Sequence, residues 1–143
     1  MNEVVLAQTD TTVGFLSQDA ARLALIKGRP QHKPFLRVVA TLEVLKEFVR
    51  VPPNHRARVR RATKTTFIYP QGEAIRVVHG SHASLVARWG WLYSTSANQS
   101  GKLFDEAWAR SQADVIVEEP KGFVDAPSSR LIRLGRARLR RMR

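Results

Sequence analysis

Apolar residues recur along this chain with two spacings, alternating positions that are typical of strands and a period near 3.6 residues that is typical of helices. Apolar runs bounded by Gly, Pro, Asn or Asp predict strands at residues 4–7, 35–39, 65–69, 74–78, 91–93, 114–117 and 130–134. Helical spacing, in most cases after a Ser, Thr or Asp, predicts five helices. They lie at residues 20–27, in a segment that begins after Thr41, in a short segment that ends at about Arg61, from Ser81 to a stop at Gly90, and at 105–113.

One connection predicts an antiparallel pair. The segment Pro70-Gln71-Gly72-Glu73 joins the strands at 65–69 and 74–78, which is the signal of a hairpin. Strands that alternate with helices elsewhere favour parallel pairing. The pattern therefore predicts an α/β fold, with helices flanking a twisted, mixed parallel and antiparallel sheet in a single domain of residues 1–143.

Charge changes this picture more than any other bulk property. The chain has 24 Lys and Arg against 12 Asp and Glu, a formal net charge of +12. The positive charge is densest at residues 56–61 and 136–143. Such a field attracts nucleic acid, nucleotides or anionic lipid, although it is also typical of a solubilising surface. Two separate arginine clusters favour contact with RNA.

Several classes of protein are excluded or disfavoured. The chain has no Cys, so it has no disulfide, thiolate nucleophile or cysteine-ligated metal. No apolar run approaches the roughly 18 residues that span a bilayer, and no basic segment precedes an apolar one at the start. We therefore expect a cytoplasmic protein without a membrane partner. The common phosphate-binding glycine motifs are also absent.

The segment 94–101, Ser-Thr-Ser-Ala-Asn-Gln-Ser-Gly, follows the predicted strand at 91–93 and is the strongest candidate for a site. Ser and Asn side chains orient polar ligand groups, and glycine lets a ligand approach the backbone. The alternative is a loop whose Ser and Asn only cap the next helix.

Three cations cluster in the segment 27–34, Lys-Gly-Arg-Pro-Gln-His-Lys-Pro, where a predicted helix ends. Lys supplies a point charge and Arg a bidentate fork, which together suit a triphosphate or a carboxylate. The same residues are also typical of cations that stabilise a helix C-terminus.

Isolated polar residues give weaker signals. Arg76 lies in an apolar strand, which indicates either an anionic ligand or a structural salt bridge. Thr9 and Thr11 follow the first strand, where hydroxyl turns are common. His79 and His82 have a spacing that can hold a metal, but no further ligand is nearby in sequence, so surface or ligand-contact roles are favoured. We predict no metal ligand in the chain.

In their order, these segments resemble the threonylcarbamoyl-adenylate synthase family, or YrdC-like domain, over nearly the whole chain. Its P-T-D-T-x-Y-G-L segment is similar to residues 8–15, and its K-x-R-P-x-x-K-P segment matches residues 27–34 at each position. Its S-T-S-A-N-x-S-G loop is reproduced at 94–101. The strand end R-x-P-x-H resembles residues 76–79, and the late P-S-T and R-P-G segments resemble 127–129 and 133–135.

The resemblance implies an enzyme that condenses L-threonine, bicarbonate and ATP, with Mg²⁺, to threonylcarbamoyl-adenylate and pyrophosphate. The product serves N6-threonylcarbamoylation of adenosine in tRNA, so partner proteins of the tRNA threonylcarbamoyl-transfer machinery are also implied. The implied catalytic residues are Lys27 and Arg29. The implied nucleotide-binding residues are Lys27, Arg29, Lys33, Thr66, Ser96, Asn98, Ser128 and Arg133, and the implied threonine-binding residues are Thr9, Thr11, Arg76 and His79.

The sequence also departs from the family pattern. Gln8 stands in place of a proline and Val13 in place of an aromatic residue. The P-G-P-x-T loop, which helps to shape the nucleotide site, is replaced at residues 62–66, where only the final Thr66 is kept. An alternative hypothesis is therefore a non-catalytic YrdC-like protein that binds double-stranded RNA or tRNA through its basic surface.

Overall fold

The computed structural model describes residues 1–136 and 138–143, and it divides the chain into two compact units. Unit 1 comprises residues 1–35 and 92–128, and unit 2 comprises residues 36–91 and 129–143. Ala137, within the predicted arginine cluster at 136–143, lies outside the described residues.

Nine strands and five α-helices are present in the described residues. The strands are β1 (Val5–Gln8), β2 (Val13–Ser17), β3 (Leu36–Val39), β4 (Thr65–Ile68), β5 (Ala74–Val77), β6 (Trp91–Ser96), β7 (Val115–Ile116), β8 (Arg130–Leu134) and β9 (Leu139–Arg141). The helices are α1 (Ala20–Lys27), α2 (Leu42–Phe48), α3 (Arg56–Arg61), α4 (Gly80–Val86) and α5 (Glu106–Gln112), with a 3₁₀ turn at Pro53–His55. No helix in this part of the chain has the length and apolar character needed to cross a membrane.

Unit 1 is built on the strand order β7-β1-β2-β6. Strand β1 pairs antiparallel with β2 and parallel with β7, and β2 pairs antiparallel with β6. Side chains from β1, β2, α1 and α5 form its core, among them Leu6, Phe15, Leu23 and Ala109, together with Val4 just before β1. This core positions the end of α1 and the segment after β6.

Unit 2 has the strand order β3-β5-β4-β8-β9. The pairs β3–β5 and β4–β8 are parallel, whereas β4–β5 and β8–β9 are antiparallel. Its core contains buried residues of the strands and of α2 and α3, among them Val39, Leu45, Val59, Phe67 and Ile75. The mixed pairing confirms the predicted α/β fold class.

Local signals predicted several elements with their correct ends. Helix α1 has the expected bounds because Asp19 accepts a hydrogen bond from Arg22 N (3.1 Å) and Gly28 adopts the left-handed conformation after the last turn. The β4–β5 hairpin and strand β8 were also predicted. Helix α4 was expected from Ser81 to the stop at Gly90 but ends at Val86, because Arg88 N and Trp89 N donate to carbonyls three residues back (3.3 and 3.0 Å), which forms tighter turns.

Three strand assignments differ from the expectation. No strand was predicted at residues 13–17, which form β2, or at residues 139–141, which form β9. Strand β6 was expected to end at Tyr93 but continues through Ser96, because its backbone pairs with β2 in the register Gly14↔Ser96. Pairing with distant strands supplied the hydrogen bonds that local composition did not indicate.

Candidate functional site

The Lys27 side chain in unit 1 lies among oxygen atoms at the end of β6. Its ammonium donates to the Ser96 carbonyl (2.7 Å), to Ser96 Oγ (3.3 Å) and to Asn98 Oδ1 (3.1 Å). Ser96 Oγ also donates to Asn98 Oδ1. All of these acceptors are neutral, and no carboxylate of the described residues forms an ion pair with Lys27. The lysine charge is therefore positioned without being neutralised.

Backbone contacts hold this cluster together. Helix α1 ends at Lys27 because Gly28 has a φ of +67°, a conformation that costs little only for glycine. Ser100 N donates to the Lys27 carbonyl (3.0 Å), which ties the segment after β6 to the end of the helix. The Asn98 amide donates to the Lys102 carbonyl (2.7 Å), so its oxygen is directed toward the lysine.

Burial changes the acidity of Lys27. The residue is only 4% exposed. Burial, with a smaller contribution from the charge of Arg29, lowers the pKa of the Lys27 ammonium from 10.5 to about 8. It is therefore still protonated at neutral pH, and a bound anion would raise this pKa again.

Arg29 lies on the turn that follows α1. Its Nη2 donates to the Pro34 carbonyl (3.0 Å), and its guanidinium carbon lies 4.3 Å from the centre of the Phe35 ring. Its Nε is buried and has no acceptor among the described residues. Burial lowers the pKa of Arg29, but a guanidinium stays charged at neutral pH. Lys33, on the same turn, is exposed.

Thr9 and Thr11 form a buried hydroxyl pair between β1 and β2. Their Oγ1 atoms are 3.3 Å apart, and Thr9 Oγ1 also accepts a hydrogen bond from Thr11 N (3.1 Å). The close approach depends on Gly14, because a Cβ there would lie 2.9 Å from Thr9 Cγ2 and 3.2 Å from the Thr95 carbonyl oxygen. The two hydroxyls are thus fixed by the pairing of β2.

A second polar cluster lies in unit 2, where Arg76 on β5 is 3% exposed. Its Nη1 donates to Thr66 Oγ1 (3.4 Å), and Thr66 Oγ1 is 2.8 Å from Ser129 Oγ. Thr66 and Ser129 are also buried. The structure thus places a guanidinium beside two hydroxyl groups, an arrangement suited to a carboxylate or another oxyanion.

Other predicted residues lie outside these two clusters. His79 is exposed, with Nε2 3.2 Å from the Ala62 carbonyl oxygen. Ser128 and Arg133 are exposed, and within the described residues no side-chain hydrogen bond joins them to either cluster. Their roles in binding remain predictions.

Two residues of the unit 2 cluster were missed by the sequence analysis. Ser129, which directly follows the predicted Ser128, provides the hydroxyl that contacts Thr66. Alternation along β8 could have indicated it, since Ser129 is two residues before Leu131, the partner of Thr66. Arg143 also contacts Ser129, and the sequence marked this arginine only as part of the basic segment 136–143.

Neither cluster includes a set of side chains that could ligate a metal ion among the described residues. Across residues 1–136 and 138–143, no group of three or more His, Asp and Glu side chains could hold a metal ion. Mg²⁺ in nucleotide sites is held by one or two carboxylates together with substrate phosphates. We therefore assign no side chain to the magnesium ion that the resemblance implies.

Comparison with solved structures identifies this fold in several proteins. P. abyssi Sua5 complexed with L-threonine has a TM-score of 0.77 at 18% identity, over 99% of this chain and 50% of Sua5. HypF in a phosphate- and nucleotide-bound form has a TM-score of 0.77 at 17% identity, over 99% of this chain and 26% of HypF. E. coli YciO has a TM-score of 0.74 at 17% identity, over 99% of this chain and 82% of YciO.

At these identities the similarity establishes the fold, and the chain spans about half the length of the Sua5 protein. No curated protein sequence matches the chain. The model of the Sua5/YciO/YrdC family, described as "Telomere recombination", matches residues 1–129. On that match, which includes the Lys27 segment and the loop after β6, the chain belongs to the Sua5/YciO/YrdC family.

Proposed function

We propose that this chain is an L-threonylcarbamoyl-adenylate synthase that acts in tRNA N6-threonylcarbamoyladenosine modification. The observation that carries the proposal is the Lys27 ammonium, which is buried and, among the described residues, hydrogen-bonded only to neutral oxygens of Ser96 and Asn98. A buried cation without a carboxylate partner gains most from an anionic ligand.

The nucleotide is assigned to the Lys27 and Arg29 side chains. The Arg29 Nε is buried without an acceptor among the described residues, so a phosphate oxygen would satisfy a donor that is otherwise unpaired. The point charge of Lys27 and the planar guanidinium of Arg29 complement each other on a triphosphate. Ser96 and Asn98 then hold the ammonium in position.

L-Threonine is assigned to Arg76 in unit 2, where the guanidinium would bind the carboxylate. The family resemblance also implies threonine-binding roles for Thr9 and Thr11, whose buried hydroxyl pair in unit 1 can donate and accept hydrogen bonds. The L-threonine complex of P. abyssi Sua5 supports this substrate in a family member. The nucleotide-bound HypF structure likewise supports a nucleotide on this fold.

The proposed reaction has two steps. The threonine nitrogen attacks the carbon of bicarbonate, and loss of water gives the carbamate. A carbamate oxygen then attacks the α-phosphorus of ATP, the bond from that phosphorus to the bridging oxygen breaks, and pyrophosphate leaves. Because two anions must approach each other, fixed cations that lower their repulsion are the contribution of Lys27 and Arg29.

Pyrophosphate release from ATP, measured with each substrate omitted in turn, tests the proposal. We expect release only when L-threonine and bicarbonate are both present. Release that continues without threonine would contradict it and would indicate simple nucleotide hydrolysis. The product would be consumed by the machinery that transfers threonylcarbamoyl groups to tRNA.

We also infer contact with RNA at a groove of unit 2. This groove of about 490 Å³ lies beside α3 and the strands β4 and β8, and its lining includes Arg58, Arg61 and Arg130. These three arginines are exposed, and no ion pair is recorded for them within the described residues. Arg141 pairs with Ile132 and so shares the face of β8 that borders the groove.

The salt dependence of tRNA binding tests this contact. Arg58→Gln should lower the slope of log affinity against log salt by roughly one unit, which is the loss of one phosphate contact. Arg88→Gln removes the same charge from an exposed position that does not line the groove, so it serves as the matched control. Equal slopes in the two variants would mean that only net charge matters.

A further inference from the structure

A second groove of unit 2 has an apolar floor. It is lined by α2, α3 and the residues just after α2, has a volume of about 640 Å³, and is called here the α2–α3 groove. Its lining includes Leu42, Leu45, Val49 and Val59, of which the last three are buried in the core of the unit. The first three recur at helical spacing, so one face of α2 supplies most of the floor.

Four cations lie around this floor. Lys46 on α2, Arg50 after it, and Arg56 and Arg60 on α3 line the groove and are exposed. The carboxylate in the lining is that of Glu47. Within the described residues no ion pair is recorded for any of these five side chains. The groove therefore carries an excess of positive charge that no carboxylate of unit 2 neutralises.

Helix α3 divides its arginines between two surfaces. Arg56 and Arg60 are four residues apart, share one face of the helix, and line the α2–α3 groove. Arg58 and Arg61 are three residues apart and line the groove that is assigned above to RNA. The two faces therefore call for two different ligands, and the matched pairs of arginines allow them to be tested separately.

The arrangement of polar and apolar groups is that of a protein interface. None of the buried polar side chains of the described residues lines the α2–α3 groove. Small-molecule sites place a few polar groups inside an apolar pocket, whereas protein interfaces have an apolar centre and a polar, solvent-accessible rim. An apolar floor with charges only at its rim favours a protein segment over a small molecule.

Two other occupants fit this surface less well. Phe48, the aromatic residue of the lining, packs edge-to-face on Trp91 (5.7 Å between ring centres), and the Arg37 guanidinium carbon lies 4.7 Å from its ring centre. It is thus a poor platform for an RNA base, and an aliphatic floor offers no stacking. A second copy that used the same groove would place four cations opposite four.

We propose that the α2–α3 groove docks an amphipathic helix of an acidic partner protein. Apolar side chains of that helix at positions i, i+3 or i+4, and i+7 lie on the floor, and its carboxylates face the four cations. The floor supplies most of the affinity, because buried apolar anchors dominate interface energies. The rim charges select an acidic helix and speed its association.

Fluorescence anisotropy with a labelled synthetic peptide tests this surface on the full chain. The probe is a helix of about 18 residues, roughly 27 Å long, with Leu on one face and Glu on both sides of it. The double variant Arg56→Glu, Arg60→Glu should weaken its binding about tenfold or more, because like charges then face each other. The double variant Arg58→Glu, Arg61→Glu makes the same change of charge on the same helix and should weaken it by less than about twofold.

Leu42→Ala tests the floor. It removes apolar contact without changing the charge, so peptide binding should weaken at low and at high salt alike, whereas the effect of the charge variants should shrink as salt screens them. A peptide with Gln in place of each Glu should bind more weakly than the acidic one. Melting curves without peptide check that each variant is folded, since Leu42 also packs on the core.

Several outcomes would overturn the proposed docking. Equal losses in the two double variants would mean that only net charge matters, and equal binding of the Gln peptide would exclude an acidic partner. If Arg56→Glu, Arg60→Glu weakened the binding of duplex RNA but not of the peptide, the groove would be an RNA surface. Failure of the unchanged chain to bind the acidic peptide would also exclude the site. None of these measurements involves ATP or threonine, so they leave the proposed function to its own test.

Discussion

The two units hold their buried cations by different means. In unit 1, Lys27 donates three hydrogen bonds to neutral oxygens at the end of β6, and burial lowers its pKa to about 8. In unit 2, Arg76 lies on β5 between neighbouring strands, beside the hydroxyls of Thr66 and Ser129. A guanidinium stays protonated throughout the pH range in which a lysine titrates.

This difference assigns different properties to the two sites. The charge of Lys27 depends on pH and on the ligand, because an anion that binds there also raises its pKa. The charge of Arg76 is constant, and its selectivity comes from the planar geometry of its donors. We therefore expect the Lys27 site to take up a proton when it binds phosphate above neutral pH. We expect the Arg76 site to bind a carboxylate without proton uptake.

The largest expected effect is that of Arg76→Leu, which keeps the apolar packing of the strand but removes the guanidinium. Two hydrogen bonds to a charged group contribute roughly 3–6 kcal/mol, so L-threonine affinity should fall by more than about 100-fold. The rise in melting temperature that threonine causes should disappear with it. ATP affinity should not change.

Melting curves with and without L-threonine, on both proteins, check this expectation. If Arg76 instead served only as a structural salt bridge, the variant would melt at a lower temperature without ligand. The unchanged chain would then show no stabilisation by threonine.

Lys27→Ala should have the next largest effect, and this effect should be on ATP binding. Loss of the ammonium should weaken ATP binding by about 1–3 kcal/mol and leave threonine binding unchanged. Lys121→Ala, which removes an exposed lysine of the same unit, is the control for net charge. Titration calorimetry measures the affinity of each variant for ATP and for L-threonine. If Lys27→Ala lost affinity for both ligands to the same extent, the two sites would not be distinct.

The pH dependence of ATP binding sharpens the comparison further. Above pH 8 the free protein loses the Lys27 proton, so binding requires proton uptake and affinity should fall by up to about tenfold per pH unit. Lys27→Arg stays charged and should show a flat profile over the same range. A profile that is equally steep in the arginine variant would assign the titration to another group.

The same shift affects stability with a defined sign. Between pH 8 and 10.5 the unfolded chain binds more protons at Lys27 than the folded chain does, since its folded pKa is the lower one. The contribution of Lys27 to the free energy of unfolding should therefore increase as the pH rises through this window. Arg76 should make no such contribution.

Gly14→Ala should have the smallest effect on ligand binding. The added methyl group would lie 2.9 Å from Thr9 Cγ2 and 3.2 Å from the Thr95 carbonyl oxygen, so these neighbours must shift, and we expect a loss of stability of about 1–3 kcal/mol, the usual range for overpacking. Denaturant unfolding measures this loss. Threonine affinity should also fall, because Thr9 would move from Thr11; affinity equal to that of the unchanged chain would exclude the Thr9–Thr11 pair from the threonine site.

Much of the fold and part of the site could be predicted. Capping residues and glycine defined α1, and a turn sequence defined the β4–β5 hairpin, because both signals act within a few residues. The Lys27 segment and the loop at 94–101 were also predicted as sites, and the structure brings Lys27, Ser96 and Asn98 together.

Strand pairing decided what the sequence could not. Strand β2 was not predicted, and it exists because β1 and β6 hydrogen-bond to it from both sides. Strand β6 likewise continues through polar residues. Such bonds join residues distant in the chain, so no local window contains the information that would predict them.

By itself the sequence determined the periods of the helices and strands, the strongly positive charge and the motif segments that carry Lys27, Arg29, Ser96 and Asn98. Only the tertiary structure decided that Ser129, and not Ser128, contacts Thr66, and that Arg143 reaches the same place. Side chains alternate between the faces of a sheet, so a shift of one residue, or one bulge, reverses which side chain enters a cluster.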